Sequence, residues 1–252
     1  MESQDVKLTI AKVEDLVRWV IRNQNWNTTW FLDPATQVYV ERYLEKSIEI
    51  NYKKSGGYPT AERKIFAIYP HWMEFDDNLF PYSCLSVEWN DKFFNLGHRD
   101  ILGSVLGLGI ERHTIGDIIV KKNIAYVIMM KDISNFVLAN LATIGRAKVK
   151  LSKIDLANLD LPEPKYKSIH TTVSSMRLDC LASTGFGYSR NKILPLIREG
   201  RLFVNWEQIT KPDFQIKEGD IITLRGSGRI KISEITGFTK KNRIAVIIYR
   251  FT

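Results

Sequence analysis

The chain has 252 residues, 44% hydrophobic and 25% charged, with a formal net charge of +8. That length suits two or three small domains rather than one core, and the balance excludes a disordered chain. No apolar run approaches the roughly 18 residues needed to span a bilayer, and the acidic, amphipathic start does not read as a secretory leader.

The first segment is expected to be helical, because Leu8, Ala11, Leu16, Trp19, Val20 and Ile21 recur near helical spacing. A second amphipathic pattern follows Asp33-Pro34, where proline suits a first helical turn. Ser55-Gly56-Gly57-Tyr58-Pro59 breaks it, and residues 63–70 read as a short strand. Trp19, Trp26, Trp30, Phe31, Tyr39 and Tyr43 are assigned to the core rather than to base stacking, following ordinary burial preferences.

From about residue 80 the rhythm changes. A strand is predicted over 85–90, a helix over 98–106, strands over 117–120 and 123–130, a helix over 133–143 and a last strand over 147–151. That order is β-α-β-β-α-β, the split arrangement of ferredoxin-like and RNA-recognition-motif folds. Such a motif should carry basic and aromatic residues on its third strand. Here that strand, Ile124 to Met130, has one aromatic and no basic residue. If this domain touches RNA, it does so by another surface. Protein docking is the other reading. The stretch 156–167 loses periodicity, contains Pro162 and Pro164, and reads as a linker.

The expected class is α+β in three domains: a mixed helical domain at 1–78, an RRM-like domain at 79–160 and a basic domain at 172–252. Residues 1–172 hold 22 Lys and Arg against 21 Asp and Glu, whereas residues 173–252 hold 14 against 7. The excess therefore lies in the last third, as a polyanion-binding module requires. Charge alone leaves nucleic acid, anionic membrane and a solvated surface open.

In that third, helices are predicted over 176–182 and 190–199, the second with Ser189 at its N-cap, Pro195 inside it and Gly200 at its left-handed C-cap. Strands follow at 202–204 and 221–225, with turns at Asn205-Trp206 and Gly219-Asp220. Arg190 and Lys192 fall in the first turn of the second helix, where backbone N–H groups already favour phosphate. Arg177, Arg198, Arg201 and Lys211 extend the basic face. Arg225 and Arg229 beside glycines, then Lys240, Lys241 and Arg243, form a second basic cluster.

Arg177-Leu178-Asp179, Ser189-Arg190-Asn191-Lys192 leading to Ile197-Arg198-Glu199-Gly200, and Val204-Asn205 with Gly219-Asp220 together resemble the ribosomal-protein-S-four-type RNA-binding domain. Trp206 stands where that family commonly has glycine, and could add a stacking surface. The whole chain resembles the YlmH-type RNA-binding proteins. It does so through Ala61-Glu62-Arg63-Lys64, Gly97-His98-Arg99-Asp100-Ile101-Leu102-Gly103, Gly107-Leu108-Gly109-Ile110-Glu111-Arg112, Gly116-Asp117-Ile118, Arg225-Gly226-Ser227-Gly228-Arg229 and Thr239-Lys240-Lys241. The resemblance implies three domains, a cytoplasmic location, and association with large-subunit ribosomal RNA and tRNA. It also implies a role in rescuing stalled large subunits and a link to cell division.

Catalytic readings lack their context. Arg177-Leu178-Asp179 resembles the string around the catalytic aspartate of pseudouridine synthases, but it lies inside the binding domain. His98-Arg99-Asp100 copies the kinase triplet without the asparagine five residues on, since that position is Val105. Gly107-Leu-Gly109 lacks the third glycine of a dinucleotide site. His71, His98, His113 and His170 are scattered, and Cys84 and Cys180 lie far apart, so neither a zinc site nor a disulfide framework is expected. The expectation is a monomeric, non-catalytic RNA-binding protein without cofactor. An RNA-modifying enzyme and a ribosome assembly factor are the alternatives.

Overall fold

The computed structural model describes residues 4–161 and 166–251, which form two compact units, 1–162 and 163–252. In the first unit, helix α1 (Gln4–Asn23) precedes strand β1 (Asn27–Thr28) and helix α2 (Pro34–Leu44). The start of α2 follows from Asp33, whose carboxylate accepts from the backbone N–H groups of Ala35 and Thr36, with Pro34 in the first turn. Strands β2 (Ile50–Ser55) and β3 (Ile65–Pro70) join β1 in a sheet of order β1-β3-β2. β3 is buried along its whole length. β2 was not expected, because its alternation is carried by Ile50 and Tyr52 alone among polar residues.

Next come β4 (Tyr82–Glu88), α3 (His98–Leu106), β5 (Ile115–Val120), β6 (Ile124–Met130) and α4 (Lys131–Asn140). A two-residue hairpin, β7 (Thr143–Ile144) and β8 (Ala147–Lys148), turns at Gly145 and leads into β9 (Lys150–Ile154). The sheet runs β5-β6-β4-β9 with every pairing antiparallel, which is the ferredoxin-like order. The expected last strand begins three residues later than the pattern indicated, because Ala147 belongs to the small hairpin and is buried there.

The three-stranded and four-stranded sheets of this unit share a buried cluster. Phe31, Ile65, Ala67 and Tyr69 from the first segment pack with Cys84, Ile119, Tyr126 and Ile128 from the second. Tyr126, the single aromatic of the third strand, is thus a core residue. Two of the six aromatics assigned to the core are exposed instead: Trp19 at 42% and Trp30 at 37%. Trp30 meets His113 edge-on and lies beneath the Lys12 ammonium, contacts that keep it at the surface.

Residues that carry the resemblance in this unit tie its two segments together. The Asp117 carboxylate accepts from the Tyr58 hydroxyl at 2.8 Å and from the N–H groups of Glu62 and Arg63 at 2.7 and 3.1 Å. The Arg63 guanidinium donates to the carbonyls of Ile115 and Phe31 at 3.0 and 2.7 Å. Burial, then the neighbouring Arg112 cation, lowers the Arg63 guanidinium to about 10. Gly116 admits no side chain, since a Cβ there would meet the Phe31 ring at 2.7 Å.

In the second unit, β10 (Tyr166–Val173) precedes α5 (Leu178–Phe186), α6 (Arg190–Arg198), β11 (Leu202–Val204), β12 (Glu207–Gln208), β13 (Ile221–Leu224), β14 (Gly228–Phe238) and β15 (Ile244–Phe251). They form one sheet of order β10-β15-β14-β13-β11-β12. Leu178, Leu181, Phe186, Ile193 and Ile197 of the helices pack on Leu224, Ile230, Ile232 and Ile248 of the sheet. Of the expected linker, residues 162–165 lie outside the described residues, and the part from Tyr166 onward is strand β10.

Candidate nucleic-acid interface

The local sequence positions both helices of the second unit. α5 starts at Leu178, two residues later than expected, because Arg177 forms an antiparallel bridge with Gln215 and the Met176 carbonyl accepts from Ile216 N–H at 2.8 Å. Its first two N–H groups, on Leu178 and Asp179, donate to the carbonyls of Phe214 and Pro212 at 2.9 and 3.0 Å. α5 ends at Gly187 with φ +72°, a left-handed cap that turns the chain sharply into α6. Ser189 occupies the N-cap of α6 in extended geometry, but its hydroxyl makes no capping bond. The free first-turn donors of α6 are therefore met by backbone or by something outside the protein. Pro195 is accommodated, and the helix runs on to Arg198.

At the centre lies Asp179. Its carboxylate is fully buried, and both flanking arginines converge on it. Arg177 donates through Nε to Oδ1 and through Nη2 to Oδ2, both at 3.2 Å. Arg190 donates to Oδ2 through Nε at 3.0 Å and Nη2 at 2.5 Å. Burial pushes the carboxyl up, but the two guanidiniums outweigh it and hold Asp179 below its ordinary value. The arginines keep 37% and 57% side-chain exposure, so two oriented cations face solvent on one neutralising anion. Asp179 has no solvent-facing oxygen to offer a substrate, as the synthase-like string would require.

Lys192 lies two residues after Arg190, about 200° further around the helix axis at 100° per residue. The two cations therefore leave opposite flanks of the buried stripe that Ile193 and Ile197 define. Lys192, Arg198 and Lys211 are exposed and make no ion pair among the described residues. Arg201 and Arg225 are cross-strapped: Arg201 Nη2 donates to the Arg225 carbonyl, and Arg225 N–H to the Arg201 carbonyl, both at 3.1 Å. The Arg225 guanidinium also covers the Phe203 ring at 4.7 Å, a pairing that strand register decides and no local motif signals.

Other predicted residues are committed within the protein. The Asn205 amide donates to Asp220 at 2.8 Å while its oxygen accepts from Ile221 N–H at 3.0 Å, which closes the turn. Trp206 follows at φ +66°, so this turn takes a left-handed pair without glycine. Arg243 brackets β10, donating to the carbonyl and hydroxyl of Thr172 at 2.6 and 3.0 Å. Lys240 and Lys241 are exposed in the β14–β15 turn, and Arg229 lies half-buried on β14. Sequence reasoning missed the stacked pair Tyr166 and Tyr249, at 4.1 Å between rings, because it joins the two ends of the module.

Among the described residues no cluster of ligating side chains could hold a metal, and no helix is long and apolar enough to cross a membrane.

Three family models match the chain: "YlmH, N-terminal" over residues 5–72, "Putative RNA-binding domain in YlmH" over 76–158 and "S4 domain" over 176–222. A Bacillus subtilis (strain 168) protein named "Ribosome-associated protein quality control protein P2" is 33% identical over 243 residues, covering 95% of this chain and 94% of its own. The solved structure "Cell division protein ylmH from Streptococcus pneumoniae" superposes with a TM-score of 0.55 at 23% identity, over 64% of this chain and 98% of its own. That likeness concerns the fold.

Proposed function

The chain belongs to the YlmH family, and on that premise we propose that it is a non-catalytic RNA-binding protein of ribosome-associated quality control. Its partners on this reading are large-subunit ribosomal RNA and tRNA. It acts as a cytoplasmic monomer without a cofactor, with a link to cell division. The observation that carries the reading is the S4 module's surface. Arg177 and Arg190 are fixed by a buried carboxylate, with Lys192, Arg198 and Lys211 exposed around them. Guanidiniums oriented by a carboxylate suit bidentate phosphate contact, and exposed lysines add salt-sensitive attraction. Such a surface recognises folded RNA by backbone and shape. The name of the Bacillus relative supplies the ribosomal context.

The test is binding of the full chain to isolated large subunits across a salt series. Affinity should fall steeply with salt, and the Arg190→Ala/Lys192→Ala double variant should lose most of it. Unchanged affinity in that variant sinks the site. Crosslinking in cells with sequencing of the bound RNA then distinguishes ribosomal RNA and tRNA from messenger.

A further inference from the structure

The first unit carries an open groove with a cavity volume of about 500 Å³, within the size range of ligand sites. Its walls are the segment before α3, one flank of α3 and the β7–β8 turn. Among the lining residues are Phe93, Arg99, Asp100, Gly103, Ser104 and Arg146. Phe93 is 76% exposed, the most solvent-accessible phenylalanine among the exposed large hydrophobics of the chain. Arg99 and Arg146 are exposed and make no ion pair among the described residues. The one carboxylate, Asp100, is occupied: its Oδ2 accepts from the Gly97 N–H at 2.8 Å, closing the start of α3.

Gly103 adds an independent observation. It sits inside α3, where glycine is costly relative to alanine. Packing does not require it, because a Cβ built there meets nothing within 4 Å. What the missing side chain does leave open is the groove wall. At the facing turn, Gly145 has φ +57° and places Arg146 at the rim.

We infer that this groove binds an unpaired nucleotide of single-stranded RNA, the base stacking on Phe93 and the flanking phosphates meeting Arg99 and Arg146. An aromatic ring beside two cations, with a bare backbone for close approach, is the chemistry of a single-strand site. A duplex keeps its bases stacked on each other and cannot use Phe93. The sheet face that an RNA-recognition motif would use is closed here, since Tyr126 is buried in the shared core. The inference rests on reading the chain as an RNA-binding protein and adds a second contact surface to it.

The experiment is photocrosslinking of a 4-thiouridine-containing oligouridylate to the full chain, with adducts mapped by mass spectrometry. Adducts are expected on the peptide holding Phe93 as well as in the second unit. Phe93→Ala, and separately Arg99→Gln with Arg146→Gln, should cut the first set about tenfold and leave the second unchanged. Gly103→Leu should fill the groove and remove the first set while the thermal midpoint holds or rises. Adducts confined to the second unit, or undiminished adducts at Phe93 in the folded Gly103→Leu variant, overturn the groove and leave the general RNA reading standing. Absence of adducts anywhere overturns both. If uridine monophosphate displaces the groove adducts as well as the oligonucleotide does, the ligand is a free nucleotide and the strand assignment falls.

Discussion

Arg190 reaches across from the start of α6 to the buried Asp179 of α5, donating from Nε at 3.0 Å to the same oxygen that Arg177 contacts. One carboxylate thereby sets the direction of two guanidiniums and joins the two helices of the RNA-binding module. Orientation in place of added charge is what this arrangement contributes.

Asp179→Asn should therefore reduce both stability and binding. The loss of two charge-assisted contacts costs about 2 kcal/mol. RNA affinity should fall although the net positive charge rises by one, because the arginines lose their common anchor. Chemical denaturation and a binding titration at fixed salt check the pair. A gain in affinity would show that charge, and not orientation, governs the surface.

The same carboxylate makes the module acid-sensitive. Asp179 is held below its ordinary 3.8 when folded, so its contribution is whole above that value. It is lost as pH falls through the lowered folded value. The stability difference between the parent and Asp179→Asn should be constant from neutral pH down to about pH 5 and shrink toward zero in stronger acid. Thermal midpoints of both proteins along a pH series read this directly.

Asp117→Ala should act on the other unit. It leaves the Tyr58 hydroxyl and the N–H groups of Glu62 and Arg63 without their acceptor, at about 2–3 kcal/mol. Hydrogen exchange at the Glu62 and Arg63 amides should accelerate. Adducts and affinity belonging to the second unit should not change.

The two halves of the tail cluster should separate by experiment. Lys240→Gln with Lys241→Gln should leave stability unchanged and lower the slope of log affinity against log salt by about one per lysine. Arg243→Ala should instead cost about 1 kcal/mol of stability, through its lost bonds to Thr172. A salt slope that falls only in the Arg243 variant would reverse the assignment.

The sequence by itself determined what neighbouring residues decide. Asp33-Pro34 starts α2, Gly187 and Gly200 take the left-handed positions that end α5 and α6, and the β-α-β-β-α-β order follows from alternating local periods. It also located the basic surplus and the S4-type signature. Only the tertiary structure decided β10 and β14, whose polar alternation gains meaning from pairing with β15. The roles of the cations were likewise decided there. Arg177, Arg190, Arg243 and Lys192 all read as basic residues, yet a buried Asp179, a strand carbonyl at Thr172 or open solvent awaits each. Those partners lie on other elements, and only folding brings them within hydrogen-bond reach.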